Sequence, residues 1–356
     1  MNARQILASY EREQGIIFPE AKAFLEPEWG DNFHLAMDAQ PQLVTTPSSG
    51  IPAFLTTIID PQILRIRQAS NNAAEIFTEV KKGTWVTESA IFPVVERGGN
   101  ATSYGDMENG GATTANANFE TRQPYLFQTV CIWGELQLER AGLAKISWAA
   151  ELQGAGADVL GKFENLIYFK GVAGLQNYGI QTDPNLLPAI APAPKANGGF
   201  SWLTGVTPNA SANEIFADIQ AGVNTLINQS AGRIDTKSEI VMALSPTREG
   251  ALTATNSFNV NVKALLKDNY PNLRIQNAIQ YGAITSQNPQ GVATGEMVQF
   301  IALKPGNQDT GWLAFNEKLR AHAVVRDLSS FKQKMTSGAY GFIGRQPFAI
   351  ATMIGI

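Results

Sequence analysis

Residues 103–122, SYGDMENGGATTANANFETR, form a long, polar, glycine-rich stretch between two strongly β-forming segments. Upstream, KKGTWVTESAIFPVVERGGN (81–100) reads as a strand followed by a turn. Downstream, RQPYLFQTVCIWGELQLE (122–139) returns to aromatic and β-branched residues. Two strands around a polar tip predict a two-stranded β-arm. An isolated hairpin is only marginally stable in water. The arm therefore needs a surface to lie on, either its own domain or another subunit.

The rest of the chain can supply a core. Its 356 residues suggest about two domains, and 44% are hydrophobic, so disorder is excluded. The net charge is -4, and no basic stretch marks a tight grip on nucleic acid. The first residues lean acidic (Glu11, Glu13, Glu20, Glu26, Glu28 and Asp31). A single cysteine, Cys131, excludes an intrachain disulfide, and its apolar surroundings predict a buried structural thiol. No apolar run approaches the ~20 residues of a membrane span. The N-terminal MNARQILASYEREQG lacks the apolar centre of a signal peptide. The expectation is a chain made and kept in the cytoplasm, or in a particle assembled there.

Periodicity places the other elements. LVTTPSSGIPAFLTTIIDP (43–61) reads as an extended arm or an ordinary N-terminal strand. In SWAAELQGAGADVLGKFENLIYFKG (147–171), Leu152, Gly156, Val159, Leu160, Phe163, Leu166 and Ile167 recur at helical spacing, with Gln153, Asp158, Lys162 and Asn165 on other faces. This predicts one long helix resting on a sheet and stopping at Gly171. GVAGLQNYGIQTDPNLLP reads as a loop and APAPKANGG as a linker. Helix 212–229, strand 239–245, a short helix opened by Pro246, helix 261–270 and strands 273–281 and 296–303 then alternate, which predicts a compact α/β domain. The last stretch reads as two strands and a turn and ends in the apolar PFAIATMIGI, which returns to a core.

Motifs for chemistry fail on inspection. GADVLGKF (156–163) nearly spells a phosphate-binding loop, but Phe163 stands where the hydroxyl is required and the match falls inside a helix. His34 and His322 lack metal-ligand neighbours at helical or hairpin spacing. Ser245 before Pro246 reads as a strand end and helix cap rather than a nucleophile. Glu135 and Glu139, one helical turn apart, read as a solvated or interface face. Trp85, Trp133, Trp148, Trp202 and Trp312 need only core or interface anchoring.

The order of parts, together with IFTEVKKGTW, YLFQTVCIWGELQLERAGLAKISW, YFKGVAGLQNYGI, NYPNLRI and LSSFKQKMTSGAYGFIGRQPFAIA, resembles the HK97-type major capsid proteins of tailed bacteriophages over nearly the whole chain. The resemblance implies an α+β, HK97-like capsid fold. It places an N-terminal arm at 1–75, an extended loop at 76–130, a peripheral domain with a spine helix at 131–199, an axial domain at 200–310 and returning peripheral strands at 311–356. It implies no catalysis, no cofactor and no metal. Its partners are copies of the chain itself in hexamers and pentamers of an icosahedral shell, a portal protein, and packaged double-stranded DNA held without specific binding. Contacts with neighbouring copies are placed on Trp85, Tyr104, Asp106, Glu108, Phe119 and Arg122. Some members weld the shell through a lysine in the extended loop. Here no lysine occurs between Lys82 and Lys145, so a shell without that crosslink is expected. The short stretch before the arm leads to the expectation of a separate scaffolding protein. Two other readings stay open at this point: an encapsulin-like cargo compartment of the same fold, and a hydrolase using residues 200–310. A tail or fibre component would form rings or rods instead.

Overall fold

The computed structural model describes residues 71–356 apart from 108, 144–145 and 287. The expected N-terminal arm, including the 43–61 segment and His34, therefore lies outside the described residues except for 71–75. The chain enters through α1 (Ala73–Ile76) and β1 (Glu79–Lys81). β2 (Ala90–Gly99) and β3 (Thr113–Arg122) form an antiparallel two-stranded ribbon, with Ala90 opposite Arg122 and Gly99 opposite Thr113. β4 (Tyr125–Gly134) leads into α2 (Glu135–Leu143) and the long α3 (Trp148–Lys170). The short strands β5 (Gly171–Val172), β6 (Asn177–Tyr178), β7 (Leu203–Thr204) and β8 (Thr207–Pro208) follow.

The ribbon corrects the expected pairing. β2 does not pair with 125–134; its partner is the second half of the polar stretch, and the tip shrinks to 100–112. β3 alternates Ala115, Ala117 and Phe119 with Asn116, Asn118 and Glu120, a weaker strand signal than β-branched residues give. β4 instead joins β14, because Phe127, Cys131 and Trp133 point together at α3. Cys131 is buried, as expected, and its thiol donates to the Leu152 carbonyl at 3.3 Å.

The second half of the chain runs through α4 (Ala212–Gln229), β9 (Ile240–Leu244), α5 (Pro246–Glu249), α6 (Val262–Asn269), β10 (Leu273–Asn277) and β11 (Met297–Ala302). It ends with β12 (Gly311–Ala321), β13 (Val325–Asp327), β14 (Ser330–Gly344) and β15 (Ile350–Ile354). Ser211 and Glu214 close a reciprocal capping box at the start of α4. Ser245 caps α5 with Pro246 at its first turn, as the sequence suggested.

Among the described residues, β10-β9-β11-β15 make a four-stranded sheet. β9 and β11 are buried at every position. Met242, Leu244, Val298 and Phe300 pack in a core with α4, whereas Val241, Ala243 and Ile301 pack with the end of α3. Both faces are covered, which is why β9 reads as an unbroken apolar run and β11 as one interrupted only by the buried Gln299. The second sheet is seven-stranded, with the path β1-β12-β14-β6-β5 and with β4 and β13 also on β14. Leu313 and Phe342 of this sheet share a core with Ile301 and Ile350 of the first.

The C-terminal stretch differs from expectation. Residues 311–356 were grouped as one set of returning strands, yet β15 pairs with β11 in the four-stranded sheet. Ile350 faces one core, and Ala351 and Met353 face the other. Only a sheet covered on both sides buries both sets.

α3 occupies nearly the residues its periodicity indicated, and Gly171 stops it at φ +68°. A Cβ at Gly156 would stand 2.8 Å from the Cys131 sulfur, so the helix approaches β4 closely there. Three assignments on this helix were inverted. Val159 and Phe163 are exposed, whereas Asn165 is buried and accepts the Ala73 N–H at 3.1 Å. The near phosphate-loop motif lies within this helix.

Candidate functional site

The ribbon β2–β3 is the part of the molecule with the least support. In an antiparallel pair, directly opposed residues share a face. Ile91–Thr121, Pro93–Phe119, Val95–Ala117 and Arg97–Ala115 therefore line one side. That side is apolar except at its ends, and Ile91, Val95 and Phe119 are 61%, 57% and 64% exposed. The other side carries Val94 with Asn116 and Asn118. Pro93 removes one backbone donor, which blunts the ribbon against open-edge pairing.

The root of the arm is fastened where the tip is free. Ala90 and Phe92 pack against Ala314, Tyr340 and Ile343. Arg122 is buried, its guanidinium 3.4 Å from Asp183 and 3.1 Å from Glu120, and it lies over the Tyr178 ring. Burial pushes the Asp183 carboxyl up from its ordinary value, and the Asn185 N–H and the Arg122 charge pull it back. Glu120 also accepts from the Asn185 amide at 2.9 Å. Beside the root, β1 pairs in parallel with β12, and the Lys82 N–H donates to the Phe315 carbonyl at 2.8 Å. Glu79 of β1 pairs with Lys318 of β12 and meets Tyr168 and Glu164 of α3.

The residues singled out from the sequence fall into three groups. Tyr104, Asp106 and Phe119 are exposed on the arm, and the Tyr104 hydroxyl donates to Asp106, which holds the phenol above its ordinary value. Trp85 is half-buried beneath the Arg320 guanidinium, 5.5 Å from its ring. Arg122 departs from its assignment: buried among partners of its own chain, it anchors the arm and is not displayed to a neighbour. Glu108 lies outside the described residues. Sequence reasoning missed Ile91, Val95, Ala115 and Ala117, which become one face only when the register is known. A second uncovered stripe, Leu126, Val130 and Ile132, lies on the side of β4 turned away from α3. The alternation in YLFQTVCIW carries that signal.

A cleft of about 320 Å³ beside β7, β8 and α5 is lined by Trp202, Leu203, Val206, Pro208 and Ala251, and no ionisable side chain lines it. No helix among the described residues is long and apolar enough to cross a membrane.

Comparison with known proteins gives the architecture a family. No curated protein matches this sequence. Among solved structures, the capsid of Myoviridae phage XM1 superposes with a TM-score of 0.66 at 12% identity, covering 86% of this chain and 99% of that one. The capsid of a native GTA particle gives 0.56 at 12% identity, covering 87% and 98%. A structure from Mycobacterium phage Cain gives 0.52 at 10%, covering 87% and 97%. At such identities the likeness speaks for the fold, and it is the capsid fold that the sequence resembled. A family model described as Pa193 gp26 major capsid protein matches residues 42–355, through the arm, the long helix and both sheets. With that match, the chain belongs to the Pa193 gp26 major capsid protein family.

Proposed function

We propose that this shell-forming chain closes its shell by laying the apolar face of β2–β3 across a neighbouring copy. The observation that carries the reading is that face itself: Ile91, Val95 and Phe119 are uncovered on a ribbon whose root is tightly held. Fully burying such side chains is worth ~1.5–3 kcal/mol each. Repeated around closed symmetry, contacts of this size add into a stable container. Tyr104 and Asp106 at the tip, and the outer stripe of β4, supply further contact surface.

In this reading the four-stranded sheet with α4 is the axial domain at the centre of hexamers and pentamers. The seven-stranded sheet with α3 is the peripheral domain, with β15 assigned to the axial side. The implied partners are a scaffolding protein, a portal protein and double-stranded DNA. The net charge of -4 supports a wall that holds DNA without specific binding. The chain works without catalysis, in a shell assembled in the host cytoplasm. The lack of lysine between Lys82 and Lys145 supports a shell free of the loop-lysine crosslink. Particles boiled in denaturant should give a monomer band, and a covalent ladder refutes that part. The family's description favours a virion shell over a cargo compartment.

The test is assembly of the full chain carrying Phe119→Asp, under conditions in which the unaltered chain yields shells visible by electron microscopy. The expected result is a folded subunit and no shells. Shells at the unaltered yield overturn the reading.

A further inference from the structure

We infer that Glu164, Tyr168, Glu79 and Lys318 form a proton-controlled latch fastening the root of the β-arm to the long helix. Glu164 is only 3% exposed, midway along α3. The Tyr168 hydroxyl lies 2.6 Å from its Oε1 and also bonds Glu79 of β1. Glu79 in turn holds the Lys318 ammonium of β12. The ionisable groups facing Glu164 are thus Tyr168 from its own helix, Glu79 from β1 and Lys318 from β12. The neighbouring Lys81–Glu317 pair, 3.5 Å apart, is more exposed.

Counting donors gives the mechanism. A phenol has one hydrogen to give. With a proton on Glu164, its carboxyl donates to the Tyr168 oxygen, Tyr168 donates to Glu79, and Lys318 neutralises Glu79. Every group is then satisfied. When Glu164 loses its proton, the phenol hydrogen turns to Glu164 and Lys318 keeps Glu79, so both carboxylates stay bonded. The cluster then holds two negative charges against one positive, and the added charge on the buried Glu164 is costly in a low-dielectric site. The simplest relief is for β1 to part from α3. β1 is a three-residue edge strand, and the chain runs from it through residues 82–89 into β2. Loosening it releases one fastening at the arm's root, beside those made by Arg122 and Phe92.

Burial, partly offset by the Tyr168 hydrogen bond and Lys318, pushes the Glu164 carboxyl up to about 7. A carboxyl raised in the closed state favours closure while it is protonated. That advantage is full below the ordinary carboxylate range and is lost as the pH rises through about 7. If opening restores an ordinary value, the opening equilibrium rises about tenfold between pH 6 and pH 8. The inference concerns one subunit and stands apart from the shell reading: a chain that never closed a shell would give the same result.

Hydrogen exchange on the full chain, corrected for intrinsic rates, tests it in peptides covering 76–90. The expected result is a loss of protection of about tenfold from pH 6 to pH 8, with peptides of β9 and β11 unchanged. Glu164→Gln, which keeps the acceptor but cannot ionise, should flatten the response at the protected level. Equal corrected protection at the two pH values overturns the proposal, as does a Glu164→Gln chain that keeps the pH response. The first comparison needs no variant, so it decides even if the substituted chain fails to fold.

Discussion

β3 and β11 are both strands, with opposite surroundings. Every residue of β11 is buried, its alternate side chains shared between two cores. Seven of the ten residues of β3, from Thr113 to Phe119, are exposed, and the apolar side of its ribbon touches no core among the described residues. The difference separates two sources of stability. The four-stranded sheet is complete within one chain. Among the described residues the arm is fixed only at its root, through Arg122, Phe92 and Glu79, and its apolar face is uncovered.

Substitutions at matched positions can break this contrast. Phe300→Ala in β11 empties the fully buried space under α4, and the subunit should lose ~3–5 kcal/mol in chemical denaturation. Phe119→Ala in the arm removes the same ring. It is the smallest effect expected on the free subunit, within about 0.5 kcal/mol, and it should act on assembly instead. A comparable loss at both sites would erase the distinction.

The arm's root should respond to pH where the sheet does not. A carboxyl pushed up to about 7 penalises the folded state once it ionises. Glu164→Gln should therefore raise stability at pH 8 by on the order of 3 kcal/mol. The gain should fade below neutral pH and vanish near pH 4. Thermal melts of both chains across this range check the sign, and a gain largest in acid would reverse the argument.

Two glycines on one helix give smaller effects of opposite direction. A side chain at Gly156 meets Cys131 and Met335, and Gly156→Val should cost about 1–3 kcal/mol. A Cβ at Gly154 meets nothing within 4 Å, and Gly154→Ala should add about 1 kcal/mol. Denaturant midpoints read both. If Gly156→Val is harmless, α3 does not sit as closely on β4 as described.

What the sequence made legible follows the same division. β9 and β11 were readable because burial on both faces writes an apolar run, interrupted only at Gln299 of β11. α5 was readable because Ser245 caps it ahead of Pro246. α3 was readable as a helix, but its buried side was partly misjudged. Glu164 is held inside by Tyr168 one turn on and Asn165 by Ala73, distant in sequence, and apolar periodicity encodes neither. β3 was taken for part of the tip because its alternation, Ala115, Ala117 and Phe119 against Asn116, Asn118 and Glu120, is written mostly in small and polar residues of low strand propensity. Of the expected contact residues, Phe119 and Tyr104 are displayed, whereas Arg122 is turned inward to Asp183. A charged residue at the foot of a hairpin looks the same in sequence whichever way it points.

The claim at the centre is that the arm becomes stable only when another copy covers it. Hydrogen exchange of peptides within 90–122, compared between the free subunit and assembled shells, measures this directly. The expected result is an arm that exchanges almost as fast as unstructured chain when free and is protected by orders of magnitude in the shell, while β9 and β11 are protected in both. An arm equally protected in the free subunit, or still unprotected in the shell, contradicts it.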